Sequence, residues 1–272
     1  MQTINFSKYH GCGNDFIIVE NIEENVAKLA IEMCNRYTGI GADGLINLDR
    51  KNIKMNFYNQ DGSHGSMCGN GLRCLSAYLL DNKIINKQEF EVLTDAGKMK
   101  VEVVDSKIPL FRINLGNPSF DSTKLQIETV KPNFLNEKLT YKNNIYYGYA
   151  VLIGVKHLVI FVDDINGITK ELGSYLSNNP IFKDAINVDF VSLINNKELH
   201  LRTYERGVGF TKACGTGAAA SFIITNKFKG GNDSIKVVMD IDSLDITKNE
   251  SDEVIMTGKA LKICDGTYIW RN

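Results

Sequence analysis

The chain has 272 residues, of which 43% are hydrophobic, and its 31 basic and 32 acidic side chains give a net charge of -1 at pH 7. This charge balance argues against nucleic acid as a main partner, because phosphate binding usually needs a basic surplus. No stretch approaches the ~18 consecutive apolar residues of a membrane helix, and the first ten residues lack the features of a signal peptide, so we expect a cytoplasmic protein without a membrane partner.

The first half of the chain predicts strands interleaved with two helices. Apolar residues at helical spacing predict an amphipathic helix over 26–36, and alternating apolar and polar residues predict a half-buried strand over 53–57. A loop rich in glycine then leads to the string Cys68-Gly69-Asn70-Gly71, which opens an apolar helix over 71–80. Three further strands are predicted over 90–95, 99–104 and 110–115.

The second half predicts the same elements in the same order. An amphipathic helix is predicted over 168–178, and a strand with the alternating pattern over 199–203. A second glycine-rich loop leads to Cys214-Gly215-Thr216-Gly217, which opens an apolar helix over 217–224. Strands are predicted to follow over 235–240 and 253–257.

The two cysteine strings mark an internal repeat. They lie 214 − 68 = 146 residues apart, and the same shift aligns Tyr58 with Tyr204 and Asn59 with Glu205. We therefore predict an α+β fold of two pseudo-symmetric homologous domains, each a mostly antiparallel sheet or barrel around a central helix, with the active site in the cleft between them. The expected domains are residues 1–120 and 144–272, joined by a polar linker over 121–143. The final residues could pack back on the first half.

The position of Cys68 and Cys214 indicates chemistry. A helix N-terminus offers unpaired N–H groups and partial positive charge, which favour the thiolate form of cysteine. The neighbouring glycines let a ligand approach the backbone, so the same N–H groups can hold a carboxylate. Two such thiols facing one ligand suit inversion at a carbon that bears a hydrogen, since one removes a proton and the other delivers one to the opposite face. The alternative is that both are small core residues that cap helices.

The remaining cysteines predict no second site. Cys12 lies in a loop, Cys34 and Cys74 lie in predicted helices, and Cys264 lies in a strand near the end of the chain. The chain has no C-x-x-C pair and no histidine spacing typical of a zinc site. The phosphate-binding and dinucleotide-binding fingerprints are absent as well. We therefore expect neither a metal nor a cofactor.

These motifs resemble those of the diaminopimelate epimerases, a cofactor-independent family that interconverts LL- and meso-diaminopimelate. The resemblance runs along essentially the whole chain and includes proline racemases and other amino-acid racemases as relatives of the same fold. It implies an isomerase of lysine and cell-wall precursor biosynthesis, with a small amino-acid substrate and a homodimeric assembly. The segments that carry it are 10–16, 59–63, 67–71, 163–164, 205–209 and 213–217.

The resemblance also implies a role for individual residues. It makes Cys68 and Cys214 the two acid/base thiols, with His157 and Glu205 tuning them. The α-carboxylate would be held by the backbone N–H groups of Gly69, Asn70, Gly215 and Thr216. Asn14 would meet the reacting amine, and the distal end of the substrate would be held by Asn59, Asn187, Glu205 and Arg206.

The chain departs from the family pattern at several positions. Gly154-Val155-Lys156-His157 stands where members usually show Gly-Asn-Pro-His, and the lost asparagine is a contact to the distal end. Gly44 replaces a glutamine of some members, and His64 and Phe210 stand where glutamate is frequent. Two alternatives therefore stay open, a racemase of another amino acid with the same mechanism and a non-catalytic binding protein on this fold.

Overall fold

The computed structural model describes residues 1–271, which form two compact units. The first unit combines Met1–Asn114 with the segment that begins at Thr257, and the second unit is Leu115–Met256. The segment 121–143, expected to be a linker, lies in the second unit and contains a short helix and a strand. The segment is mostly polar in sequence, but its Leu125 and Leu139 are buried in the core of that unit.

In the first unit, seven strands and two helices precede β8, the strand that reaches the boundary with the second unit. Antiparallel ladders join β1 to β2, β3 to β4, β6 to β7 and β7 to β8, whereas β2–β3 and β4–β6 are parallel. The elements are β1 (Gln2–Gly11), β2 (Asn14–Glu20), α1 (Val26–Cys34), β3 (Gly44–Asp49), β4 (Lys54–Asn59), β5 (His64–Gly65), α2 (Gly69–Asp81), β6 (Glu89–Thr94), β7 (Gly97–Asp105) and β8 (Leu110–Gly116), which reaches the boundary.

The second unit repeats this plan. From β10 onward the strands and helices follow the order seen from β1, again with two parallel ladders, β11–β12 and β13–β15. The elements are α3 (Ser122–Leu125), β9 (Leu135–Tyr141), β10 (Asn144–Ile153), β11 (Val155–Phe161), α4 (Lys170–Ser177), β12 (Asn187–Asn195), β13 (Glu198–Glu205), β14 (Gly209–Phe210), α5 (Gly215–Phe228), β15 (Ser234–Val238), β16 (Ser243–Lys248) and β17 (Val254–Lys259), which crosses the boundary.

The last strand of the chain completes the first unit. Strand β18 (Leu261–Trp270) pairs antiparallel with β1 along nearly its whole length. In the second unit the corresponding place beside β10 is taken by β9. An unpaired β1 would expose a row of N–H and C=O groups, and β18 pairs with them. Trp270 is buried in the same core as Ile4 and Phe6.

In each unit two helices pack against the strands, and the sequence of each helix explains why. Helices α2 and α5 are apolar around most of their circumference, and most of their residues are buried. Helix α1 is amphipathic and buries Leu29 and Met33, while α4 buries Leu172 and Leu176. The predicted α+β fold with two similar, mostly antiparallel units is confirmed. Across the described residues, no helix has the length and apolar character needed to span a membrane.

Candidate active site

Cys68 is the N-cap residue of α2. Its backbone is extended, with φ of -138°, and its Sγ accepts a hydrogen bond from the Gly71 N–H at 3.4 Å. Gly71 keeps the first turn close to the sheet, because a Cβ there would lie 3.1 Å from Met55 Cε and 3.3 Å from Ile46 Cδ1. The sequence places this thiol at the start of the helix, and the structure confirms that position.

Asn14 and Asn70 are joined by a network of side-chain hydrogen bonds. Asn70 Nδ2 donates to Asn14 Oδ1 at 3.0 Å, and the buried Arg73 Nη2 donates to Asn70 Oδ1 at 2.8 Å. Asn14 Nδ2 in turn donates to Asp43 Oδ2 at 2.7 Å. Both amides are therefore held in one orientation. Arg73 and Asp43 were missed in the sequence, although an arginine inside an apolar helix is a signal for a buried polar partner.

Asp15, next to Asn14, anchors the start of β2. Lys8 Nζ lies 2.9 Å from Asp15 Oδ2, and Arg36 Nη2 lies 2.7 Å from Asp15 Oδ1. Burial raises the pKa of Asp15, but the hydrogen bonds from Arg36 and Lys8 outweigh it, so the pKa is lowered from its ordinary value. This carboxylate helps to hold the strand that carries Asn14.

Cys214 occupies the equivalent N-cap position of α5. Its Sγ accepts from the Gly217 N–H at 3.3 Å and lies 3.5 Å from Thr216 Oγ1. Burial raises the pKa of Cys214 well above its usual value, and the charges of Glu205 and Asp189 act in the same direction. The hydrogen bonds from Thr216 and Gly217 lower the pKa but do not offset these effects. Burial therefore opposes, at Cys214, the easier ionisation expected of a thiol at a helix N-terminus.

His157 lies at the centre of a buried polar network beside Cys214. Its Nδ1 is 2.7 Å from Asp189 Oδ2, and both side chains are 0% exposed. Its Nε2 is 3.0 Å from Thr216 Oγ1, and Thr203 Oγ1 donates to Asp189 Oδ1 at 2.7 Å. Asp189 and Thr203 were not predicted from the sequence. A carboxylate within the apolar strand β12 was the available signal.

Three residues expected to hold the distal end of the substrate lie near one another in the second unit. Asn187 begins β12, opposite His157 in the parallel ladder, and its Oδ1 accepts from the Arg206 N–H at 3.0 Å. Arg206 Nη1 donates to the Asp184 carbonyl at 3.1 Å. Glu205, at the end of β13, accepts from Thr211 Oγ1 at 2.6 Å.

Asn59 ends β4 of the first unit. Its Nδ2 donates to Ser63 Oγ at 2.9 Å, and the Ser63 hydroxyl in turn donates to Asp61 Oδ1 at 2.6 Å. The amide is therefore tied to the glycine-rich loop that precedes Cys68. This is the position the repeat aligns with Glu205.

Val155 and Lys156, at which the chain differs from the family pattern, lie on opposite faces of β11. Val155, the first residue of the strand, is 37% exposed, whereas Lys156 is buried. Lys156 Nζ donates to Gln126 Oε1 at 3.1 Å and to the Lys183 carbonyl. Val155 presents a methyl-bearing side chain where an asparagine amide would offer a donor and an acceptor.

The other four cysteines do not lie at helix N-termini. Cys34 and Cys74 are buried, and burial raises both pKa values, that of Cys34 to about 12. Cys12 is buried with its Sγ 3.8 Å from Arg73 Nη2, and Cys264 is exposed on β18. Within residues 1–271, no three His, Cys, Asp or Glu side chains form a group that could hold a metal ion.

Comparison with known proteins decides the family. The sequence model described as diaminopimelate epimerase matches residues 6–120 and 149–263, which is most of the chain. The chain belongs to the diaminopimelate epimerase family. Cys68 and Cys214 both lie within the matched segments, and epimerases are isomerases. Members of this family are similar to the chain over nearly its full length.

Two relatives show the extent of that similarity. The diaminopimelate epimerase of Caldanaerobacter subterraneus subsp. tengcongensis is 35% identical over 268 residues, covering 96% of this chain and 98% of its own. The diaminopimelate epimerase of Bacillus subtilis is 35% identical over 282 residues, covering 98% and 99%.

Solved structures share the fold at much lower identity. A phenazine biosynthesis protein of the PhzF family from Enterococcus faecalis superposes with a TM-score of 0.72 at 12% identity, covering 99% of this chain and 100% of its own. A hydroxyproline epimerase from Agrobacterium vitis gives 0.66 at 14% identity, covering 98% and 91%. These similarities show the fold alone.

Proposed function

We propose that this protein is a diaminopimelate epimerase that inverts one α-carbon, converting the LL form to the meso form in lysine and cell-wall precursor biosynthesis. Family membership along nearly the whole chain supports the reaction. The observation that carries the mechanism is that Cys68 and Cys214 are both N-cap residues, each accepting from the N–H three residues later, at equivalent places in two repeated units. Packing alone does not require cysteine at both places.

In this proposal the two thiols exchange a proton through the α-carbon. A thiolate removes the α-proton from one face, and the other thiol delivers a proton to the opposite face. In one direction of the reaction one thiol acts as the base and the other as the proton donor. The reverse reaction exchanges these roles.

The backbone at both helix starts carries the second part of the mechanism. Removal of the α-proton spreads negative charge onto the α-carboxylate. The N–H groups of Gly69, Asn70, Gly215 and Thr216 are proposed to hold that carboxylate, and donors already in place stabilise developing charge without reorganisation. Asn14, with its amide fixed by Asn70 and Asp43, is proposed to meet the reacting amine.

The distal amino-acid group of diaminopimelate needs partners for a carboxylate and an ammonium. Asn59, Asn187, Glu205 and Arg206 are proposed to supply them, with Arg206 as the cation for the carboxylate. The Arg206 backbone is tied to Asn187, and its guanidinium to the Asp184 carbonyl. The proposal includes a homodimer in the cytoplasm, and no cofactor, because two thiols suffice for the proton transfers.

The test follows exchange of the α-proton in D₂O by NMR. We expect LL-diaminopimelate to lose its α-proton signal with the wild-type protein, and Cys68→Ala and Cys214→Ala each to abolish epimerisation. Serine at either position gives nearly the same loss, since a hydroxyl is far less acidic than a thiol. Cys264→Ser, an exposed change on β18, is the matched control and keeps full activity. More than a few per cent of wild-type activity in either alanine variant contradicts the two-base assignment.

Val155 favours a second candidate, a racemase of another amino acid with the same thiol pair, because it removes one polar contact to a distal group. A panel of amino acids in the same D₂O assay separates the two functions. Faster turnover of another amino acid, together with an Arg206→Ala variant that leaves that rate unchanged, would establish the second candidate instead.

A further inference from the structure

A continuous series of contacts in the second unit leads from a buried carboxylate to a thiol. Asp189 Oδ2 lies 2.7 Å from His157 Nδ1, and His157 Nε2 lies 3.0 Å from Thr216 Oγ1. Thr216 Oγ1 lies 3.5 Å from Cys214 Sγ. His157 lies in β11, Asp189 in β12 and Thr216 in α5. Cys214 is the N-cap residue of α5.

The chemistry of each partner sets the direction of these hydrogen bonds. A carboxylate only accepts, so a carboxylate at Asp189 is satisfied when His157 carries a proton on Nδ1, with Nε2 facing Thr216. With neutral imidazole, the Thr216 hydroxyl donates to Nε2 and accepts from the Cys214 thiol. With imidazolium, Nε2–H donates to Thr216, and the hydroxyl donates to the thiolate. The same contacts therefore serve both protonation states.

The first unit offers a comparison within the same molecule. The strand registers place Phe16 opposite Gly44, and His157 opposite Asn187, at the first pair of the equivalent parallel ladders. They also place Ile46 opposite Phe57 where Asp189 lies opposite Thr203. The positions equivalent to His157, Asp189 and Thr203 are thus Phe16, Ile46 and Phe57.

The three apolar residues Phe16, Ile46 and Phe57 pack together without a polar network. Phe16 and Phe57 meet edge to face with ring centroids 5.9 Å apart, and both residues are buried. The fold therefore does not need hydrogen-bonding groups below the first turn of the central helix. Burying a carboxylate and an imidazole opposes folding unless their partners compensate, so a polar set at one of two equivalent places points to function.

We propose that Asp189 is a positioning residue for Cys214, acting through His157 and the Thr216 hydroxyl as a proton relay. The proton of Cys214 Sγ passes to Thr216 Oγ1 while the hydroxyl proton passes to His157 Nε2, leaving a thiolate and an imidazolium held by Asp189. The reverse transfer restores the thiol. This inference rests on the proposed function, in which Cys214 exchanges protons with the substrate.

The direction in which Asp189→Asn changes the pKa of Cys214 distinguishes the relay from a direct effect of the Asp189 charge on the sulfur. The Asp189 charge acts directly on the sulfur to disfavour a thiolate, as does that of Glu205. Without a relay, Asp189→Asn would therefore lower the pKa of Cys214. With a relay, the variant removes the carboxylate 2.7 Å from the imidazolium that receives the proton. Because Coulomb energy rises as distance falls, a relay through this contact predicts that the pKa of Cys214 rises.

The experiment measures the rate of Cys214 alkylation by iodoacetamide from pH 6 to 10, read by mass spectrometry on its peptide in the full-length protein. We expect Asp189→Asn to slow alkylation at pH 8 at least tenfold, since one pKa unit changes the thiolate fraction tenfold. Asp245→Asn, which removes an exposed carboxylate from β16 of the same unit, should leave the profile unchanged.

The Thr216 variants test whether the hydroxyl that the relay requires acts on Cys214, and the sign of the Asp189→Asn effect tests the relay itself. Thr216→Val keeps the shape and the backbone N–H but removes the hydroxyl, and should slow alkylation as Asp189→Asn does. Thr216→Ser should restore it. In turnover, the valine variant should lower kcat with little change in KM.

Faster alkylation of the Asp189→Asn variant, or an unchanged profile for Thr216→Val, overturns the relay. Either result leaves the proposed function standing, because wild-type α-proton exchange is measured separately. A wild-type protein that exchanges no α-proton, yet shows the predicted alkylation shifts, contradicts the function and retains the relay.

Discussion

Replacing Gly217 with alanine tests how tightly the first turn of α5 is packed on the buried network. A Cβ at this position would lie 2.5 Å from Asp189 Oδ1, 2.8 Å from Thr203 Oγ1 and 3.2 Å from Cys214 Cβ. Asp189 cannot swing aside freely, because His157 and Thr203 both hydrogen-bond to it. The alanine must therefore push the carboxylate away from at least one partner.

The size of the effect follows from the contacts broken. Losing the Thr203–Asp189 hydrogen bond, which has a charged acceptor, costs about 1.5–3 kcal/mol. Overpacking a well-filled site adds about 1–3 kcal/mol. The better helix propensity of alanine offsets up to ~1 kcal/mol. We expect Gly217→Ala to lower the free energy of unfolding by roughly 1.5–6 kcal/mol.

Gly71→Ala is the matched control at the equivalent place in α2. Its Cβ would lie 3.1 Å from Met55 Cε, the end of a flexible side chain that can move by a few tenths of an ångström. We expect a change within ~1 kcal/mol, since slight crowding opposes the gain in helix propensity. Urea denaturation followed by far-UV circular dichroism measures both variants. Equal unfolding midpoints would refute the claim that the network below Cys214 is rigid.

Three further predictions concern the substrate, pH and the other thiols. Arg206→Ala should raise KM for diaminopimelate more than tenfold. Val155→Asn should lower KM by roughly tenfold, which is about the worth of one charge-assisted hydrogen bond. Steady-state kinetics measures both variants. The lowered pKa of Asp15 adds stability that is complete above its unfolded pKa of ~3.9 and is lost as pH falls through the folded value. The stability difference between wild type and Asp15→Asn should therefore shrink below about pH 4 in urea titrations. Cys34 and Cys74, whose pKa values burial raises, should resist iodoacetamide at pH 8 in the folded protein, as peptide mapping would show.

The sequence alone was sufficient for the repeated plan of the fold. Helical spacing and strand alternation predicted α1, α2, α4 and α5 and the strands on both sides of each cysteine loop. Cysteine followed by Gly-x-Gly predicted both N-cap positions. These features depend on residues close together in the chain, where spacing determines which side chains share a face.

The final residues were expected to pack back on the first half, but the strand they pair with and the burial of segment 121–143 were beyond that kind of reasoning. Strand β18 pairs with β1 across more than 250 residues, and nothing in its alternating pattern names its partner. The segment 121–143 looked like a linker because its few apolar residues show no period, yet Leu125 and Leu139 are buried. Strand pairing and burial are settled by contacts between distant segments.

The chemistry of the site divides in the same way. The sequence identified Cys214 and His157, but a helix N-terminus alone suggested a readily ionised thiol, whereas burial and the charges of Glu205 and Asp189 raise its pKa. Asp189 and Thr203 lie 32 and 46 residues beyond His157 in the chain, and only the pairing of β11, β12 and β13 brings them together. Protonation depends on the charges and solvent within a few ångströms of a group. The sequence therefore supplied the candidate reactive groups, whereas the tertiary structure sets the surroundings that raise the pKa of Cys214.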